Sequence, residues 1–185
     1  MVRLQTPRDD LMQTLLSAWA GEPLSYTHQG GVEKPPKKGF IEDIHRIKLG
    51  QGEAVYRQAC TNLDRWMMFP SWAKVHRTKA EQTPGAVVAM VIQIFGLWWI
   101  NPCRILTRWD SPSLHGFSYG TLPEHAECGE ERFMVEKLPD DSVWYEIRAF
   151  SRPRHWMAWL AFPLARWWQL RFVQDSQAAM KSFSA

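Results

Sequence analysis

Cysteine is scarce in this chain of 185 residues: Cys60, Cys103 and Cys128 are odd in number, widely spaced and never form a Cys-x-x-Cys pair. That excludes a disulfide framework and a four-cysteine zinc site, and it points to a reducing, cytoplasmic setting. Charge of one sign is also missing. A formal net charge of +3 does not make a polycation built to coat nucleic acid, so no nucleic-acid partner is expected. Long apolar runs are absent: Ala86–Ile100 is broken by Gln93, and Trp156–Ala165 is shorter than a bilayer-spanning helix requires. Pro7, Asp9 and Asp10 stand where an export signal would need an uninterrupted apolar stretch. The nucleotide-, hydrolase- and metalloprotease-type motifs Gly-x-Gly-x-x-Gly, Walker loop, Gly-x-Ser-x-Gly and His-Glu-x-x-His do not occur, which favours binding over those chemistries.

What the chain has in excess is tryptophan, eleven residues, within an otherwise ordinary 45% hydrophobic and 22% charged composition. Leu11–Trp19 has helical spacing behind Asp9 and Asp10, which suit a helix N-terminus. Residues 1–23 are read as an accessory helix and loop, and 24–185 as a single domain. Gly21–Gly39 is a loop by composition, able to lie across the domain. Phe40–Leu49 is predicted as a strand ending at Gly50-Gln-Gly52, and Glu53–Met67 as a helix. Beyond Pro70, short β-branched and aromatic runs alternate with turn signals at Thr83-Pro-Gly85, Asn101-Pro102, Ser111-Pro-Ser113, Gly129 and Pro139-Asp-Asp141. Connections this short cannot hold crossover helices, so five or six consecutive strands are expected to pair as an antiparallel meander. The fold class is α+β: a curved antiparallel sheet of about six or seven strands wrapped around a long C-terminal helix.

That helix is predicted from about Arg154 to Met180, opened by Pro153 and kinked at Pro163. Trp156, Trp159, Leu160, Pro163, Leu164, Trp167 and Arg171 form the stripe expected to face the sheet. The other side is also apolar, with Phe162 and Trp168, and needs a second surface from sheet, subunit, ligand or lipid. No acid stands between Glu146 and Asp175, whereas Arg148, Arg152, Arg154, Arg166 and Arg171 do. Two arrangements fit: arginines beside aromatics at an anionic membrane or anionic group, or a solvated rim stacked on a filled core. Peripheral membrane contact and a homodimer through this helix are both on that list.

Strand alternation assembles a candidate site. His115, Phe117, Tyr119 and Thr121 share one face, as do Glu131, Phe133 and Val135, and Val143, Tyr145, Ile147 and Ala149. If these faces are interior, Tyr119, Thr121, Glu131 and Tyr145 are a polar cluster in an apolar concavity, which is how a small-molecule site is built. Trp156, Trp159 and Arg152 complete the expected ligand-binding set. Glu131, desolvated there, would have a raised pKa and is the one candidate catalytic residue, as general acid or base. A plain hydrogen-bonded buried carboxylate is the alternative. His125 and Cys128 lack a third ligand nearby, so no metal or cofactor is expected; His155, at the helix start, is a weak anion contact.

The stretches Gly116-Phe-Ser-Tyr-Gly-Thr-Leu-Pro-Glu-His125, Gly129-Glu-Glu-Arg-Phe133 and Val143-Trp-Tyr-Glu-Ile-Arg-Ala-Phe-Ser-Arg-Pro153 resemble the signature of an uncharacterised bacterial and plant family, the domain-of-unknown-function family numbered nineteen-ninety. Leu24-Ser-Tyr26, Arg46-Ile-Lys-Leu-Gly50 and Pro84-Gly-Ala-Val-Val88 extend the likeness from about residue 24 onward. The resemblance implies the helix-grip fold of the START and birch-pollen-allergen-like (SRPBCC) superfamily. Members of that superfamily bind lipids, sterols, pigments or polyketides, and some are cyclases or dehydratases. The expectation is a binding or carrier protein for an apolar small molecule, with a cyclase- or dehydratase-like enzyme as the alternative.

Overall fold

A computed structural model describes residues 1–27, 29–34, 39–78, 82–154 and 162–182. The elements are β1 (Val2–Arg3), α1 (Asp9–Trp19), β2 (Ile41–Gln51), α2 (Glu53–Asp64), β3 (Ala73–Arg77), β4 (Val87–Ile94), β5 (Leu97–Asp110), β6 (Leu114–Thr121), β7 (Glu127–Lys137), β8 (Ser142–Pro153) and α3 (Phe162–Ser182). The strands form one antiparallel sheet in the order β2-β8-β7-β6-β5-β4-β3, with β1 paired to β5. The antiparallel meander is as expected, although Asn101-Pro102 and Gly129, read as turns, lie inside β5 and β7, paired with β4 and β8, and β2 closes the order by pairing with the last strand, Ile41 opposite Ser151.

Hairpin chemistry sets the register. Between β4 and β5 only Phe95 and Gly96 intervene, with φ of 53° and 75°, the paired left-handed conformations of a tight two-residue turn. Between β7 and β8, Asp140 accepts hydrogen bonds from the Ser142 amide and hydroxyl, while Asp141 takes a left-handed φ of 62°.

The concave face carries the main core, where Tyr56, Ala59 and Leu63 of α2 and Val173 and Met180 of α3 meet Phe117, Phe133, Val135, Val143 and Ile147. A second core lies on the outer face of β4 and β5: Met12, Leu16 and Trp19 of α1 cover Val87, Ala89, Val91, Ile100 and Leu122. With both faces covered, β4 reads as a continuous apolar run from Val87 to Ile92 rather than as alternation. The 21–34 loop covers the outside of β6 and β7. Glu130, only 2% exposed, accepts from the Tyr26 hydroxyl and the Gly30 and Val32 amides. Gly120 makes that crossing practicable, because a Cβ there would stand 2.1 Å from the Tyr26 hydroxyl oxygen.

Two expectations about the C-terminal region are corrected. Pro153 ends β8, opposite Glu127, rather than opening the helix. The face of α3 that meets the sheet is also a different one: Val173, Ser176 and Met180 are buried, whereas Trp167 and Arg171 point to solvent, Trp167 being 53% exposed, and Leu164 is exposed at the mouth of the space between helix and sheet. Small Ser176 lets the helix approach β8 closely enough to bond Tyr145, which bulky tryptophans would prevent. Pro163 is the second residue of the described span of α3, so the predicted kink there involves residues outside the described ones. No helix among the described residues is long and apolar enough to cross a membrane.

Candidate functional site

The curled sheet and α3 enclose a cavity of about 330 Å³, within the range of small-molecule sites. Its apolar wall includes Phe69 and Trp72 before β3, Met90 and Ile92 of β4, Ile147 of β8 and Phe172 of α3. Aromatic edges organise this wall, with Phe69 tilted against Phe133 and Phe172 at centroid separations of 5.8 and 5.3 Å.

Glu131 and Tyr119 face this space from directly opposed positions on β7 and β6. The Tyr119 hydroxyl donates to Glu131 Oε2 at 2.5 Å, and Glu131 Oε1 accepts no hydrogen bond among the described residues. Burial pushes the Glu131 carboxyl up to about 7; the Tyr119 bond opposes the rise, and nearby Glu127 and Asp43 add to it. The Tyr119 hydroxyl is pushed well above its ordinary range by burial and by Glu131.

A polar arch borders the pair. Arg166 of α3 grips both carboxylate oxygens of Asp43 on β2, and Gln169 donates to Glu127 Oε1 at 2.5 Å. Burial raises the Glu127 pKa, with the Gln169 bond acting against it. His125 accepts the Glu127 amide proton at Nδ1, 2.9 Å away. Burial, then the Met1 ammonium, drive His125 down to about 3, so its ring is neutral. The indole N–H groups of Trp99 and Trp168, residues of the wall, are buried and have no hydrogen-bond partner among the described residues.

The sequence-derived set is brought together only in part. Tyr119, Thr121 and Glu131 line the cavity, although the Thr121 hydroxyl is engaged, 2.6 Å from Ser25 Oγ and accepting the Gly129 amide. Tyr145 is buried behind the wall, its hydroxyl 2.9 Å from Ser176, and acts as a strut between β8 and α3. Arg152 is exposed outside, its guanidinium 4.8 Å from the centre of the Phe40 ring. Trp156, Trp159 and His155 lie outside the described residues. Asp43, Glu127 and Gln169 were not singled out from the sequence, and Arg166 was named only among the arginines that could meet an anionic group. Alternation did offer a signal for two of them: Glu127 is in phase with Glu131, and Asp43 with Ile47 and Leu49.

A family model described as "Domain of unknown function (DUF1990)" matches residues 25–179, and the chain belongs to that family. A UPF0548 protein of Dictyostelium discoideum is 32% identical over 165 residues, covering 82% of this chain and 76% of its own. Among solved structures, a hypothetical protein of Helicobacter pylori superposes with a TM-score of 0.58 at 11% identity, over 87% of this chain and 96% of that one. A point mutant of Thalictrum norcoclaurine synthase, solved with a transition-state analogue, gives 0.55 at 9% identity, over 79% and 94%. At such identities the likeness establishes the helix-grip fold.

Proposed function

We propose that this member of the family is a carrier or sensor that holds an apolar small molecule, lipid-, isoprenoid-, pigment- or polyketide-like, between sheet and α3. The observation that carries this reading is the cavity itself, apolar over most of its wall and left open where a plain core would close. Native mass spectrometry of protein purified from its own host tests it: a bound organic mass, released on denaturation, is expected. Ala149→Trp, which fills the cavity from β8, should abolish that mass without unfolding the chain. An empty wild-type protein that also fails to bind any apolar probe would sink the proposal.

Glu131 favours a second reading, a cyclase- or dehydratase-like enzyme. A carboxyl held near 7 beside a hydroxyl can take or give a proton at neutral pH. Turnover lost in Glu131→Gln with ligand affinity intact is its signature.

A third role is compatible with either. Phe95, Leu164 and Leu170 line the cavity and are exposed, and Trp167 beside them carries Arg171 at 5.5 Å from its ring. This rim suits contact with an anionic bilayer surface. We place the protein in a reducing, cytoplasmic compartment, where Cys60, Cys103 and Cys128 stay thiols. Homodimerisation through α3 would cover the same rim and is separated from lipid contact by light scattering.

A further inference from the structure

The charges around the cavity do not balance. Asp43 and His45 face it from β2, Tyr119 from β6, His125 from the following turn, Glu127 and Glu131 from β7, and Arg166 and Gln169 from α3. Buried Cys103 and Tyr145 stand close to Glu131 and remain uncharged at neutral pH. Arg166 is spent on Asp43 through two hydrogen bonds, so that pair cancels. His45 lies 4.0 Å from the same Asp43 and not against Glu131. His125 presents a neutral ring with its Nδ1 lone pair engaged. Two carboxyl groups are left without a hydrogen-bonded cation among the described residues. Glu127 receives the neutral Gln169 amide and the Ser151 hydroxyl, with Arg166 acting on it at longer range, and Glu131 receives one hydroxyl and keeps Oε1 unpaired.

Resting on the proposal that the cavity is a ligand site, we infer that its preferred occupant is an apolar molecule bearing a basic nitrogen, bound as the ammonium form against Glu131 Oε1. A buried carboxylate is stable only when paired, and an ammonium donor supplies the missing partner while its hydrocarbon part fills the Phe69, Ile92 and Phe172 wall. An anionic ligand would set a third negative group beside Glu131 and Glu127 and force protonation of one of them. The Trp99 and Trp168 N–H groups are neutral donors and do not offset this.

Decylamine, decanol and decanoate are matched in chain length and separate the alternatives by calorimetry or dye displacement. At about pH 8, where an alkylamine and Glu131 are both ionised, decylamine should bind at least about tenfold more tightly than decanol, and decanoate more weakly than either. The amine preference should shrink toward pH 6 as Glu131 takes up its proton. Glu131→Gln should erase it, decylamine then binding no more tightly than decanol, and a decanol site that persists in the variant reports that it is folded. Should that variant lose the decanol site, Glu127→Gln and the wild-type pH profile carry the test, and an amine preference flat from pH 6 to 8 overturns the inference. Decanol or decanoate matching decylamine overturns it too, while leaving the cavity as an apolar binding site. Binding of none of the three overturns both.

Discussion

Glu130 and Glu131 are neighbours in sequence, and strand alternation sends them to opposite faces of the sheet and opposite electrostatic fates. Glu130 turns outward into three donors from the 21–34 loop, whereas Glu131 turns into the cavity with one. The folded pKa of Glu131, about 7, stands above its unfolded value near 4.5. Folding therefore favours the protonated form. The associated stability is fully present below about pH 4.5 and is lost as pH rises through about 7, amounting to at most about 3 kcal/mol. Glu131→Gln keeps the shape and removes the titration. Urea midpoints of the wild type should fall between pH 5 and 8 relative to those of Glu131→Gln. Parallel profiles for the two proteins would show that Glu131 is solvated and not in the cavity.

At the scale of elements, α1 lies before the span that matches the family, residues 25–179, yet it fills the outer face of β4 with Met12, Leu16 and Trp19. Leu16 is fully buried. Leu16→Ala should cost about 2–4 kcal/mol, the usual toll of a cavity in a packed core, measurable as a lower denaturant midpoint, with ligand binding on the concave side intact. An unchanged midpoint would mean that α1 is only loosely attached. The strands were legible in part because turn residues mark them off: Pro139-Asp140-Asp141 and the Ser111-Pro112 corner fall where hairpins form, whereas Asn101-Pro102 and Gly129 lie inside β5 and β7, where pairing with the neighbouring strands overrides their turn preference. Glu131 was legible because a carboxylate in phase with Phe133 and Val135 must face inward. The orientation of α3 was not, since its first turns are apolar all round and the large tryptophans outweighed Val173, Ser176 and Met180 in any count of hydrophobicity. Only the curvature of the sheet decides between those faces. The Arg166–Asp43 pair, joining residues 123 apart in sequence, was unreadable for the same reason.

At the scale of the whole molecule, three of the exposed apolar side chains, Phe95, Leu164 and Leu170, meet the cavity at one rim, and Phe95 is the most telling of them. It occupies the first position of a two-residue turn at φ 53° and is 76% exposed. A left-handed backbone costs a β-carbon-bearing residue about 1–2 kcal/mol, and the water-exposed ring regains none of it, so folding alone does not account for phenylalanine there. Asparagine is favoured at that position. Phe95→Asn should therefore leave the fold as stable or raise its melting temperature, while vesicles containing anionic lipid should retain the variant several-fold less than the wild type in flotation. Replacing Trp167 by Gln should add to that loss, because the indole sits on the same rim with Arg171 beside it. Added salt should weaken wild-type retention only in part, the arginine share being screened and the apolar share not. If Phe95→Asn floats as the wild type does, the rim does not meet a bilayer. A concentration-dependent shift in light scattering, lost in the same variant, would assign it instead to a second copy of the chain.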